Sequence, residues 1–299
     1  MTAVRLAKAG WTVDVTGRSS ARMPAELVQA GVRFHQIERS DISRVQELVG
    51  PGADLLVDLV AYSAAEVRAV LPLMASVACP VLVSSRAVYT DAVGRHVNGD
   101  EPPEFDAPIR EDTRTLPPAG DDVNPFSRDG YGPCKVAAEL AALDSGLPVT
   151  VIRPSKVHGP WARNARTKGI VERMLRGEPT IEVADPNTVD HLSAAANAAA
   201  LIEILVAQPA PRVLNAADPD TPSALRIVQA IATQLGWNGE IERVPATADR
   251  GDHPWRTPMT LDTSAAHELG YTPVGKGLDL LADEVAWVQS QTTGGTNPG

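Results

Sequence analysis

Cysteine is nearly absent: the 299 residues hold two, Cys79 and Cys134. Two thiols supply neither a disulfide framework nor zinc-ligand spacing, so a reducing cytoplasm is the simplest location. Long apolar runs are also missing. No stretch approaches the roughly 18 uninterrupted apolar residues of a membrane-spanning helix, so no membrane role is expected. The richest run, Ala194 to Ala207, is broken by Asn197 and Glu203 and reads as a buried helix. The first ten residues lack an apolar h-region, which argues against a secretory signal. Excess positive charge is absent too: 27 Lys and Arg face 37 Asp and Glu, for a net charge of −10. That balance disfavours a nucleic-acid partner bound through its phosphates. His35, His96, His158, His253 and His267 are scattered without metal-ligand spacing, so no catalytic metal is expected. What remains is an ordinary globular composition, 43% hydrophobic and 21% charged, long enough for one large domain or two small ones.

Apolar runs and helical stretches alternate along the first half. A helix ends over Leu6–Ala9 at Gly10, followed by a strand over Trp11–Thr16, a helix over Pro24–Ala30 and a strand over Val32–Ile37. A helix over Ile42–Val49 leads to a buried strand over Asp54–Val60, a helix over Ala64–Ala75 and a strand over Val81–Ser84. Pro133–Ser145 reads as a helix with Pro133 in its first turn, and Val149–Arg153 as the next strand. This rhythm predicts an α/β fold, a doubly wound parallel sheet. Residues 91–130, rich in Pro, Asp and Gly, are too long for a plain connection and read as an active-site loop or lid. Past residue 160 the pattern loosens. Helices over Lys168–Arg176, Leu192–Ala207, Ser223–Leu235 and Leu278–Gln289 alternate with short strand-like pieces. The division expected is a ligand-binding domain over 1–160 and a smaller, discontinuous lobe over 161–291. Residues 188–217 return to the first domain, and 292–299 form a disordered polar tail.

The chemistry-bearing residues cluster after three strands. Tyr131 and Lys135, four apart at a helix start, share one face. A nearby ammonium stabilises a phenolate and lowers a tyrosine pKa from about 10, which permits proton exchange with a substrate hydroxyl. Taken alone, the pair reads rather as a partly buried tyrosine beside an exposed lysine. Upstream, Val81-Leu82-Val83 runs into Ser84 and Ser85, and a serine at the carboxyl end of a parallel strand faces the crevice where such sheets bind ligands. Downstream, Val151 to Pro160 is another strand opening into a loop.

In this order, the three segments resemble the extended short-chain dehydrogenases/reductases, the NAD(P)-dependent epimerase/dehydratase family. Asp54 to Ala61, the Asp41-Ile42 pair, His191-Leu192 with its small-residue helix, and Leu261-Asp262-Thr263-Ser264 leading to Tyr271-Thr272-Pro273 and Trp287 match further stretches of that family. The resemblance covers nearly the whole chain. It implies a Rossmann-type sheet, a nicotinamide dinucleotide cofactor and hydride transfer to or from a small polar substrate. Tyr131 would be the acid/base, Lys135 would hold the ribose and depress the tyrosine pKa, and Ser85 would hydrogen-bond the reacting oxygen. Ser84, Ala61, Pro154 and Val157 would line the cofactor, and Asp41 and Ile42 would flank its adenine. A homodimer built on two helices beside the sheet is an arrangement the family often uses.

Three departures shape the reading. Arg86 and Ala87 follow Ser85 where the family's dehydratases carry acids, so a reductase or epimerase is expected rather than a dehydratase. Arg86 either binds an anionic substrate group or faces solvent. Ala194 replaces the aspartate usual three residues after the His191 position. The family's first strand and Gly-x-x-Gly-x-x-Gly turn, which hold the pyrophosphate, have no counterpart before Leu6. A late start codon or a shortened sequence is the expected reason, ahead of a protein that lacks the cradle. After the second expected strand, no acid stands ready for a ribose 2′-hydroxyl. Arg18 with Ser19 could grip a 2′-phosphate, which favours NADP over NAD. Lys156, His158, Trp161 and Arg163, beyond the same strand as Pro154, are candidate substrate contacts. The substrate expected is sugar-nucleotide-like or another polar metabolite. The rival reading is a catalytically idle relative that senses dinucleotide or acts as a scaffold, perhaps for RNA.

Overall fold

The computed structural model describes residues 1–106, 108–245 and 253–293. The elements run α1 (Thr2–Lys8), β1 (Asp14–Gly17), α2 (Ala25–Gln29), β2 (Arg33–Gln36), α3 (Ile42–Val49), β3 (Ala53–Asp58), α4 (Ala64–Met74), β4 (Val77–Val83) and α5 (Arg128–Leu143). They continue with β5 (Thr150–Pro154), β6 (Lys156–His158), α6 (Lys168–Leu175), β7 (Thr180–Ala184), β8 (Leu192–Ala194), α7 (Ala195–Leu205) and β9 (Arg212–Ala216). The last are α8 (Ala224–Leu235), β10 (Glu240–Val244), α9 (Ser264–Glu268) and α10 (Gly277–Thr293).

Strands β3, β4, β5 and β9 form a parallel four-stranded sheet in that order, and β1 pairs with β2 in a separate parallel ladder. Period-2 alternation explains why both faces of the larger sheet are covered. Cys79 and Val81 of β4, Ile152 of β5 and Leu214 of β9 pack toward α7 and α9. Their neighbours Leu82, Val151 and Val213 pack the other way, toward α4 and α5. The fold is therefore the doubly wound α/β arrangement that the sequence predicts. A third core joins α6, α8 and α10 to β7 around the fully buried Trp255, and β7 pairs with β10.

Residues 91–127 hold little regular structure, yet they are anchored. Ile109 is buried against Tyr89, Val136, Met259 and Leu261, and Asn215 Nδ2 donates to its carbonyl at 2.8 Å.

Several boundaries differ from the expected ones. The strand expected from Trp11 forms only at Asp14, where pairing with Arg33 begins. Leu192–Ala194 are not the first turn of a helix. They pair with Lys156–His158 as β8, and the Ala194 N–H donates to buried Asp218. The helix expected from Pro133 starts five residues earlier, because the Ser127 hydroxyl accepts from the Gly130 N–H and caps it. Pro133 therefore sits in the second turn, beyond the position where its missing N–H costs nothing. The tail beyond residue 293 lies outside the described residues. Among the described residues, no helix is long and apolar enough to cross a membrane.

Candidate active site

The carboxyl ends of β3, β4 and β5 bring the sequence-selected groups together. After β4 the chain makes a one-turn 3-10 helix over Arg86–Val88. Ser85 caps it, its hydroxyl accepting from the Ala87 N–H at 3.1 Å. The start of α5 lies against this turn. Gly132 makes the approach possible: a Cβ there would stand 2.7 Å from the Ala87 carbonyl oxygen. The result is that Tyr131 and Ser85, 46 residues apart in sequence, lie within each other's electrostatic reach. Burial raises the Tyr131 pKa, while the neighbouring Ser85 hydroxyl and the charge of Arg166 pull it down.

Lys135 lies beneath this pair and is buried. Its Nζ donates to the carbonyls of Ala61, at 2.7 Å, and Val83, at 3.2 Å, and stands 4.6 Å from the centroid of the Tyr62 ring. Burial lowers its pKa to about 8, against the pull of Asp58, Glu139 and Glu66. The ammonium is turned toward the carbonyls of Ala61, in the loop after β3, and of Val83 in β4, and the cation whose charge lowers the Tyr131 pKa is Arg166.

Tyr62 escaped the sequence reading, although it directly follows the apolar run of β3. Its backbone N–H donates to Glu66 Oε2 at 2.6 Å, within the capping box that Ser63 and Glu66 form at the start of α4. Its ring lies 6.4 Å from Tyr131 and 5.1 Å from Phe126, which is 74% exposed.

The expected cofactor residues spread along the same edge. Arg18 and Ser19 are exposed just past β1, where Ser19 caps a short 3-10 turn. Asp41 caps α3 by accepting from the Arg44 N–H, and Ile42 packs toward the α4 side of the sheet. Ala61 is fully buried, and Ser84 is buried with no partner for its hydroxyl among the described residues. Pro154 ends β5, and Val157 is 43% exposed. Arg39, in the loop after β2, makes a two-pronged ion pair with Asp58 at the end of β3, tying the two parallel ladders at this edge.

The expected substrate residues part company. Arg86 does not face solvent: it is buried and paired with the fully buried Asp190, and also donates to Ser155. Lys156 reaches the same carboxylate at 2.5 Å. Burial opposes the Asp190 charge, yet the two cations hold its carboxyl below the usual range. Burial brings the Lys156 pKa down to about 8. His158 is enclosed and bonded to Asp218 at 2.9 Å, away from Tyr131's partners. Trp161 is half-buried in a left-handed conformation (φ 64°), and Arg163 is exposed.

No protein-family model matches the chain, and no curated protein does. Solved structures match along nearly its whole length. UDP-glucose 4-epimerase from the hyperthermophilic eubacterium Thermotoga maritima, solved with UDP-glucose, is 21% identical over 97% of this chain and 96% of its own, at a TM-score of 0.69. UDP-glucuronic acid 4-epimerase from Bacillus cereus, solved with UDP-glucuronic acid and NAD, is 16% identical over 96% of each chain, at 0.68. dTDP-glucose 4,6-dehydratase from Bacillus anthracis, solved with NAD, is 15% identical over 97% of this chain and 93% of its own, at 0.69. At these identities the likeness is one of fold: the chain folds as these nucleotide-sugar epimerases and dehydratases do.

Proposed function

We propose that this chain is an NAD(P)-dependent oxidoreductase or epimerase acting on a hydroxyl or keto group of a sugar-nucleotide-like or other polar metabolite. The observation that supports this best is the convergence of Ser85, Tyr131 and Lys135 at the carboxyl edge of a parallel sheet, where the start of α5 packs on the Ser85-capped turn and Lys135 bonds the Ala61 and Val83 carbonyls.

The residues present fit a dinucleotide. Lys135 has three N–H donors and two protein acceptors, which leaves one donor free, and the Ser84 hydroxyl is buried without a partner. Both suit the ribose next to the nicotinamide. Arg18, exposed past β1 with Ser19 beside it, suits a 2′-phosphate, hence NADP over NAD. Bound, the nicotinamide supplies or accepts hydride. Ser85 would hydrogen-bond the substrate oxygen and hold it against Tyr131. Tyr131, protonated at neutral pH because burial raises its pKa, would give its proton to a carbonyl oxygen as that oxygen gains charge. In the reverse direction, the Ser85 hydroxyl and the Arg166 charge would favour the phenolate that removes a hydroxyl proton. No acid follows Ser85, so elimination of water finds no partner at that position.

Fluorescence titration with NADPH and NADH tests the reading. NADPH is expected to bind more tightly. Tyr131→Phe should retain that binding and lose turnover in a panel of UDP- and dTDP-sugars followed at the nicotinamide absorbance. Binding of neither dinucleotide, or full turnover by Tyr131→Phe, would overturn it. Binding without turnover of any substrate would favour the idle, dinucleotide-sensing alternative.

A further inference from the structure

Arg86, Lys156 and Arg166 gather on the β6 side of Tyr131. Two of them converge on Asp190, which is fully buried: Arg86 pairs with one carboxylate oxygen and Lys156 with the other, at 2.5 Å. The Thr257 N–H adds a third donor to that carboxylate, at 3.3 Å. Lys156 also donates to the Pro254 carbonyl and Arg86 to Ser155 Oγ, so neither cation can swing away. Two cations on one carboxylate leave a fixed positive charge in a desolvated place, where its field is screened little.

Arg166 lies within electrostatic reach of this charge. Its Nε donates to the Val157 carbonyl of β6 at 3.3 Å, and among the described residues it makes no ion pair. Its neighbour Thr167 is pinned. Glu284, fully buried on α10, accepts from the Thr167 N–H at 3.0 Å, the Thr167 hydroxyl at 2.8 Å and the Gly159 N–H at 2.8 Å. The loop carrying Arg166 is therefore stapled at both ends. The guanidinium lies within electrostatic reach of Arg86, Asp190, Glu284 and Tyr131. Counting both carboxylates, three cations face two anions, and the oxygens of Glu284 are taken up by backbone and hydroxyl donors. A like-charged, exposed and unpaired arginine held beside a buried excess of positive charge lacks one thing: an anion.

We propose that Arg166, backed by the Arg86–Asp190–Lys156 cluster, forms a subsite for an oxyanion of the substrate, a carboxylate or phosphate carried close to the oxygen that Tyr131 addresses. This rests on the dinucleotide-dependent reading above, and narrows its substrate class to metabolites with an acidic group near the reacting carbon. Arg166 is the residue that touches the anion. Arg86 and Lys156 are positioning residues, which supply the field and hold Asp190 from competing.

The full-length chain labelled with 13Cζ-tyrosine carries four reporters, Tyr62, Tyr89, Tyr131 and Tyr271. Tyr131→Phe identifies the resonance of interest. Titrations with acetate and with inorganic phosphate should move the Tyr131 signal saturably, whereas neutral acetamide should not. The relative strength of acetate and phosphate distinguishes a carboxylate from a phosphate ligand. Arg166→Gln should weaken the effect about tenfold, Arg166→Lys should restore part of it, and Arg18→Ala should leave it unchanged. The shift should persist in saturating NADPH. Absence of a saturable shift, the same affinity in Arg166→Gln, or abolition by Arg18→Ala would overturn the subsite. Failure of NADPH to bind while the anion effect survives would overturn the dinucleotide reading and leave the anion subsite standing.

Discussion

The ammonium of Lys135 stands 4.6 Å from the centroid of the Tyr62 ring, while its donors serve the carbonyls of Ala61 and Val83. The ring face thus covers a charge that burial disfavours, one residue after the carbonyl that Lys135 bonds. A desolvated cation over an aromatic face gains about 1–2 kcal/mol, equivalent to roughly one pKa unit. Tyr62→Leu is expected to drop the Lys135 pKa by about that much below its present value, and Tyr62→Phe to leave it near that value. Lysine side-chain NMR across a pH series measures both. An unchanged Lys135 titration in Tyr62→Leu would refute the contribution.

Gly132 sets the distance between the Ser85-capped turn and the start of α5. An added Cβ would meet the Ala87 carbonyl oxygen and Leu116 Cδ1, each at 2.7 Å, and backbone oxygen cannot yield as a flexible side chain can. Gly132→Ala should therefore push the start of α5 off the Arg86–Val88 turn and move Tyr131 away from Ser85. A misplacement of about 1 Å can cost roughly a hundredfold in rate. Turnover should fall on that scale, with NADPH affinity changed far less because Lys135 lies one helical turn further on. Parallel measurement of kcat and dinucleotide Kd checks this, and equal losses in both would show a general folding defect instead.

Much of this arrangement was legible in the sequence, for a physical reason. Strands buried on both faces leave continuous apolar runs such as Val81-Leu82-Val83, and the residues that end them must face the crevice, so Ser84 and Ser85 could be selected without coordinates, while Tyr131 was marked by its spacing from Lys135 at a helix start. Tyr62 and Arg166 could not, since each acquires its role only when β3, α5 and β6 converge. Arg86 stood open between substrate contact and solvent because its partner, Asp190, lies 104 residues away. The expected start of α5 at Pro133 placed that proline in the first turn, whereas the Ser127 cap starts the helix at Arg128, with Gly130 and Gly132 inside it. They are small there to admit the Asn124 and Ala87 carbonyls.

Asp190 should be the most costly single site to neutralise. Asp190→Asn would leave Arg86 and Lys156 buried with no counter-charge, and removing one partner of a buried pair costs about 3–5 kcal/mol. Urea denaturation should show a loss of that order. Arg166→Gln, at an exposed and unpaired position, should stay within about 0.5 kcal/mol of the starting protein. A small loss in Asp190→Asn would mean that the two cations find water or another acceptor.

The pKa of Lys135 gives dinucleotide binding a pH limit whose sign follows from its direction. Burial lowers this pKa from the ordinary lysine value to about 8, so the ammonium is present below pH 8 and lost above it. If the free N–H of the ammonium bonds the ribose, binding requires the protonated form. NADPH affinity should then be flat below pH 8 and fall by up to about tenfold per pH unit above it. The bound ribose oxygens stabilise the ammonium, so the complex should titrate at higher pH than the free protein. Lys135→Met should bind weakly throughout and show no such limb, while Arg18→Ala should weaken NADPH without moving the midpoint. Lys156 shares the same lowered range, but its ammonium is committed to Asp190 and the Pro254 carbonyl. Lys156→Met should therefore keep the limb. A limb that vanishes in Lys156→Met and persists in Lys135→Met would assign the titration to the wrong lysine and remove Lys135 from the binding step.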